Sequence, residues 1–280
     1  MARGRGDEIT MNITSIVKQA QVNMPFHLLL EQYFPLVLEN RLNLEIGFDC
    51  FALDTYGMED YRKAARILSG EGIRITFHAP FYDLRPGALD HTVRDATIER
   101  IQQVFDLAGI FHPLSVVCHA AFDRRYYLSH EEDWIENSIT TWAPFVRDAA
   151  ELGTVLMLEN VYEDGPRELE RLLEGLGDDP HVGICFDTGH WNAFSAAPLR
   201  EWMDRLADRI GELHLHDNHG SRDEHLPAGE GTFPFRDFFT MLGERGRNPI
   251  VTFEPHRPED LWKSLEYIAG TDPLPPGITT

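Results

Sequence analysis

Short runs of apolar and β-branched residues alternate with longer amphipathic stretches along the whole chain. Eight of the runs read as strands: 15–23 (SIVKQAQVN), 43–48 (NLEIGF), 73–78 (IRITFH), 114–119 (LSVVCH), 154–159 (TVLMLE), 182–187 (VGICFD), 210–216 (IGELHLH) and 249–254 (PIVTFE). The stretches between them carry helical spacing. In 90–109 (DHTVRDATIERIQQVFDLAG), Val93, Ile98, Ile101, Val104, Phe105 and Leu107 fall near one face. The stretch 58–72 (MEDYRKAARILSGEG) ends on a glycine stop, and Ser129 with Glu132 has the spacing of a capping box. Eight strands alternating with helices over about 250 residues predict an α/β fold: a closed (β/α)8 TIM barrel in a single domain. An open doubly wound sheet is the alternative, and the lack of a glycine-rich phosphate loop after an early strand argues against it. The barrel is expected over residues 13–270, with an N-terminal tail at 1–12 and a Pro-rich C-terminal tail at 271–280.

Composition narrows the function. Of 280 residues, 42% are hydrophobic and 25% charged, ample material for one large core. The formal net charge is −21, which repels phosphate backbones and anionic membranes. A small-molecule substrate is expected; long nucleic acid and membrane are not. Lys18, Lys63 and Lys263 are the only lysines, and none falls at a strand end, which excludes a Schiff-base mechanism. Cys50, Cys118 and Cys185 are too scattered for a disulfide framework, and the last two lie in apolar runs as small hydrophobes. No apolar stretch approaches the ~18 residues of a membrane span, and no apolar segment follows the charged N-terminus as in a signal peptide. A reducing cytoplasm is the expected compartment.

In such a barrel the chemistry gathers where strands end. From the third strand onward the ends read His78, His119, Glu159, Asp187, His214 and Glu254, each able to hold a metal. Two loops add donors. FDTGH sets His190 a turn beyond Asp187, and RDEH sets Asp223 and His225 on one side of an extended loop. Nine donors exceed the shell of one ion, whereas three ions sharing one bridging carboxylate would absorb them. Imidazole mixed with carboxylate suits zinc, manganese, iron or cobalt better than calcium or magnesium. His216 is read as facing away from His214 in a supporting role. His219 reads as surface, and His27, His91, His112, His130 and His181 as solvated. In the loops, Arg85, Arg124, Arg125 and Arg222 are candidates to hold a phosphate. Tyr82, Tyr126, Tyr127 and Trp191 are candidates to cover a flat ligand, and His256 to touch the substrate.

The ordered motifs FHAPF, VCHAAFD, LMLENV, FDTGH, HLHDNHG, DEHLPAGEG and TFEPH resemble the xylose-isomerase-like TIM-barrel superfamily, which includes the type IV AP endonucleases. The endonuclease branch implies up to three zinc ions in one pocket. His78, His119 and Glu159 would hold the first, and Glu159, Asp187, His214 and Glu254 the second. His190, Asp223 and His225 would hold the third. The sugar isomerases and epimerases of the superfamily imply a single divalent metal on Glu159, Asp187, His214 and Glu254, with Glu159 and Glu254 as the catalytic acid–base pair. The additional His78, His119, Asp223 and His225 favour hydrolysis of a phosphoester. Two stretches, MPFHLLLEQYFPLVLENRLNLEIGFD and LHLHDNHGSRDEHL, resemble the cobamide-remodelling phosphodiesterases. That resemblance implies the nucleotide-loop phosphoester of a corrinoid as substrate. The expectation is a metal-dependent phosphodiesterase acting on a small molecule, and the alternative is a sugar or sugar-phosphate isomerase or epimerase.

Overall fold

A strand turns successive side chains to opposite faces, so each strand of a barrel supplies one set to the interior and one to the surrounding helices. In the computed structural model, which describes residues 13–278, eight parallel strands pair in chain order and the last closes on the first. They are β1 (Gln21–Pro25), β2 (Asn43–Gly47), β3 (Ile75–His78), β4 (Val116–His119), β5 (Leu156–Glu159), β6 (Val182–Asp187), β7 (Ile210–Leu215) and β8 (Ile250–Phe253). Helices such as Met58–Gly70, His91–Phe111, Glu131–Leu152 and Pro258–Ala269 surround them. The closed (β/α)8 barrel is thus as expected, in a single domain. Among the described residues no helix is long and apolar enough to cross a membrane. The tail expected at 1–12 and the last two residues of the one expected at 271–280 lie outside the described residues. Within the second segment, Ile278 is buried in the main core.

Two local expectations are corrected. Residues 13–19 are helical rather than extended, and β1 begins only at Gln21. Ile16 and Ala20, four apart, are both buried while Thr14 and Lys18 are exposed, a helical spacing inside a β-branched run. The helix Glu131–Leu152 has His130 at its N-cap with no side-chain cap bond, so Ser129 and Glu132 form no capping box. Glu131, Glu132 and Asp133 favour its first turn instead, through the helix dipole.

Outward strand positions such as Phe77, Leu158, Phe186, Leu213 and Phe253 are buried against the helices in one continuous apolar cluster. Each contributes about 1.5–3 kcal/mol by leaving water. Trp134, Trp142 and Trp202 fill the same layer from the helix side. The inward positions are different. Val117, Met157 and Cys185 make a small separate apolar group, beside the buried polar side chains of Glu45, Thr76, Glu212 and Thr252. Two residues further along these strands come His78, His119, Glu159, Asp187, His214 and Glu254. The register sets His119 beside Glu159 and Asp187 beside His214. Strand parity alone delivers these side chains to one mouth.

Candidate metal centre

Glu159 lies at the middle of the mouth, 1% exposed, and its two oxygens face different histidines. Oε2 is 3.1 Å from His78 Nε2 and 3.2 Å from His119 Nε2. Oε1 is 3.0 Å from His190 Nδ1 and 3.6 Å from His214 Nδ1. Glu254, one residue beyond β8, reaches to 3.0 Å of His214 Nδ1. Asp187 caps the helix Thr188–Phe194 by accepting from the His190 backbone N–H, which turns the His190 ring back toward the centre.

The loop after β7 contributes the remaining donors. Backbone bonds of 2.9 Å run both ways between Asp217 and Leu226, folding the intervening residues into a closed loop. This fold brings Asp223 Oδ2 to 3.4 Å of His190 Nε2 and 2.9 Å of His225 Nε2. The nine donors named from the sequence therefore converge. Four overlapping groups have donor atoms within 4.8 Å of one another: His78–Glu159–His214, Asp187–His190–His216, His216–Asp223–His225 and Glu45–His214–Glu254.

Two of those groups contain His216, which corrects the sequence reading. His214 and His216 are two residues apart, and a period of two puts them on the same face of the strand, not opposite faces. His216 Nε2 lies 2.9 Å from Asp187 Oδ2, and the ring stacks on His225 at 3.9 Å. Glu45 lies outside the sequence-derived set. Its Oε2 is 3.0 Å from His214 Nε2, and its Oε1 accepts from Asn23 Nδ2 at 2.7 Å. The signal for it in NLEIGF is a lone acid between two apolar neighbours. Asn160 is also outside the set: its backbone carbonyl accepts from His190 Nδ1 at 3.0 Å, and its side chain bonds the Asp187 backbone in both directions.

Burial opposes charge at His78, His119, Glu159, Asp223, His225 and Glu254, and the pairing overcomes it at all of them but His119. Desolvation alone would lower His78, but the Glu159 hydrogen bond and charge raise it to about 9. The same contest at His225, with Asp223 and Glu254 as partners, also ends at about 9. At His119 burial wins and the pKa falls, despite the Glu159 carboxylate. Burial would raise Glu159, Asp223 and Glu254, yet the neighbouring imidazoles hold all three well below the ordinary carboxylate range. The acids are ionised, as metal ligands must be.

Unpaired atoms test whether cations fit. His214 Nδ1, His216 Nδ1, Asp223 Oδ1 and His225 Nδ1 are buried without a hydrogen-bond partner. Such an atom costs about 1–3 kcal/mol, and here four of them gather at one mouth. A set of imidazole nitrogens and carboxylate oxygens fits zinc, and also manganese or iron. These side chains fit divalent metal.

The candidate substrate contacts divide. Arg124 pairs with Asp164 and Glu168, Arg125 with Asp123, and Arg222 with Glu224. Among the described residues, Arg85 alone of the four makes no ion pair. Its guanidinium reaches the Ala121 carbonyl at 3.4 Å and lies 5.4 Å from the centre of the exposed Tyr126 ring. Phe81, which the sequence reading passed over, stacks on His119 at 4.4 Å beside the exposed Tyr82. Tyr127 is corrected: it is buried against Phe122 and Trp134 and cannot cover a ligand. Trp191 is half-buried against Phe233, and His256 stacks on His225 at 4.6 Å. His219 pairs with Glu224 at the surface.

Known proteins are similar to this chain in sequence and in fold. The family described as xylose isomerase-like TIM barrel matches residues 41–270. An uncharacterised protein of Methanocaldococcus jannaschii, MJ1311, is 30% identical over 203 residues, 70% of this chain and 69% of that protein. A probable endonuclease 4 of Moorella thermoacetica is 28% identical over 177 residues, 53% of this chain and 63% of its own length. A solved D-tagatose 3-epimerase-like protein superposes with a TM-score of 0.73 at 24% identity, covering 88% of this chain and 95% of the other.

Proposed function

The chain belongs to the xylose isomerase-like TIM-barrel family, and on that premise we propose that it is a metal-dependent hydrolase cleaving a phosphodiester in a small molecule. The observation that carries this reading is the divided Glu159 carboxylate, with His78 and His119 on one oxygen and His190 and His214 on the other. A single catalytic cation needs three or four protein ligands, and this mouth gathers more than twice that. Bound divalent ions would acidify water to make the nucleophile and neutralise charge on the phosphoryl oxygens.

The protein's own groups do the positioning. Glu159 would offer one oxygen to each of two cations. Glu45 holds His214 Nε2, so that Nδ1 faces the cavity, and the Asn160 carbonyl does the same for the other side of His190. Phe81, stacked on His119, keeps water from one flank. Arg85 offers a cation at the rim for a phosphate oxygen. A net charge of −21 suits a compact substrate over a duplex. The corrinoid nucleotide loop implied by the sequence resemblance is the first natural substrate to assay.

Glu159→Gln tests the reading, because it keeps the shape and removes the shared charge. Hydrolysis of bis(p-nitrophenyl) phosphate should fall by at least about 100-fold with the circular dichroism spectrum unchanged. A variant that hydrolyses at the parent rate would overturn it. A second reading rests on Glu159 and Glu254 both lying within 3.6 Å of His214 Nδ1, an arrangement open to an acid–base pair around one manganese or magnesium. That reading, a ketose isomerase or epimerase, requires one metal per chain and turnover of a sugar. Elemental analysis separates the two: two or more equivalents support hydrolysis.

A further inference from the structure

We propose that His216 is a tenth donor of the centre and completes a cation position with Asp223 and His225. This inference rests on the multinuclear reading above and goes beyond the nine donors it used. Three independent features of the chain lead to it.

The first is the placement of the ring. His216 is 1% exposed, and its two nitrogens face different carboxylates. Nε2 lies 2.9 Å from Asp187 Oδ2 and 3.5 Å from Glu254 Oε2, while Nδ1 lies 3.5 Å from Asp223 Oδ1. One nitrogen is thus engaged with the Asp187 side of the mouth, and the other is turned to the loop.

The second is the pattern of unpaired atoms. Each residue of the His216–Asp223–His225 group contributes one: His216 Nδ1, Asp223 Oδ1 and His225 Nδ1 are all buried without a hydrogen bond. Two imidazole nitrogens and a carboxylate oxygen form a complete three-ligand set for zinc with one coordination position left over. His190 faces the same position from the other side: its Nδ1 is held by the Asn160 carbonyl and Glu159, and its Nε2 lies 3.4 Å from Asp223 Oδ2.

The third is Gly189. It lies inside the helix Thr188–Phe194, where glycine is among the least favourable residues. A Cβ at that position would come within 2.0 Å of His216 Cε1. The helix accepts a poor residue where its backbone is the wall against which the His216 ring rests. The chain gives up local helix preference to keep an imidazole in that place.

The test counts metal rather than turnover. Purified protein is loaded with zinc, dialysed and analysed for bound equivalents. His216→Asn should lose about one equivalent relative to the parent chain, as should His225→Asn, with helical dichroism retained in both. The double variant should lose that same single equivalent, because the two side chains serve one position. Gly189→Ala keeps every donor and improves the helix, yet should also lose about one equivalent by displacing the ring. It guards against a folding defect in the histidine variants. With cobalt in place of zinc, the same loss should appear as a drop in visible absorption. A parent chain holding two or more equivalents and a His216→Asn variant holding as many would overturn the assignment while leaving the multinuclear reading intact. Loss of two equivalents by the double variant would overturn it as well. A parent chain with a single equivalent would overturn both.

Discussion

Glu45 shows what one carboxylate contributes through the histidine it holds. It is fully buried inside the barrel, and its two oxygens are taken by His214 and Asn23. A carboxylate behind a histidine fixes which ring nitrogen carries the proton and raises the basicity of the other, an effect worth 10–100-fold in metal affinity. Glu45→Gln keeps the shape of the side chain and removes its charge. Zinc affinity, measured by competition with a chromophoric chelator, should weaken by about 10–100-fold with the barrel intact. An affinity within twofold of the parent chain would mean that His214 is oriented by packing alone.

At the scale of elements, β7 and the loop that follows carry more of the site than any other segment, and they also show where sequence reading succeeds and fails. Parity and strand ends were legible: the same alternation that separates Phe77 from His78 and Leu158 from Glu159 assigns each to helix layer or mouth. The misplacement of His216 came from applying that alternation with the wrong sign, although its spacing from His214 contained the answer. Tyr127 and Ser129 were illegible for another reason, since their environments depend on where a short helix, Arg124–Tyr127, happens to stop. The role of Asp217 was hidden in the same way. Its carboxylate accepts from the backbone N–H groups of Gly229, Gly231 and Phe233, which are distant in sequence and adjacent only once the loop closes. Gly231 is needed there because a Cβ would meet Asp217 Oδ1 at 2.3 Å. Asp217→Asn places an amide N–H against backbone donors and should cost on the order of 2 kcal/mol. Cleavage by a nonspecific protease should then move into residues 217–231. An unchanged melting temperature together with unchanged cleavage would show that the backbone pair with Leu226 closes the loop unaided.

Over the whole molecule, the barrel departs from the usual interior of branched apolar side chains stacked in layers. Among the described residues, Val117, Met157 and Cys185 form a small apolar plug with Val155 packed against it, while Glu45, Glu159, Asp187 and Glu212 are all buried within the strands. Burial and the nearby Glu45 charge raise Glu212 to about 8, so one of these acids stays protonated at neutral pH. The others depend on imidazole partners, and four buried atoms at the mouth make no hydrogen bond within the protein. A ligand that binds only the folded chain stabilises it by RT ln(1 + [L]/Kd), about 2.7 kcal/mol at a hundredfold excess over Kd. For a domain of this size that corresponds to roughly 5–10 °C in melting temperature. Stripping the protein with EDTA should therefore lower the melting temperature by about that amount, and returning zinc should restore it. Magnesium, which prefers an all-oxygen shell, should restore little. A melting temperature indifferent to EDTA would mean that the histidines and acids neutralise one another completely, leaving the mouth no need of a cation.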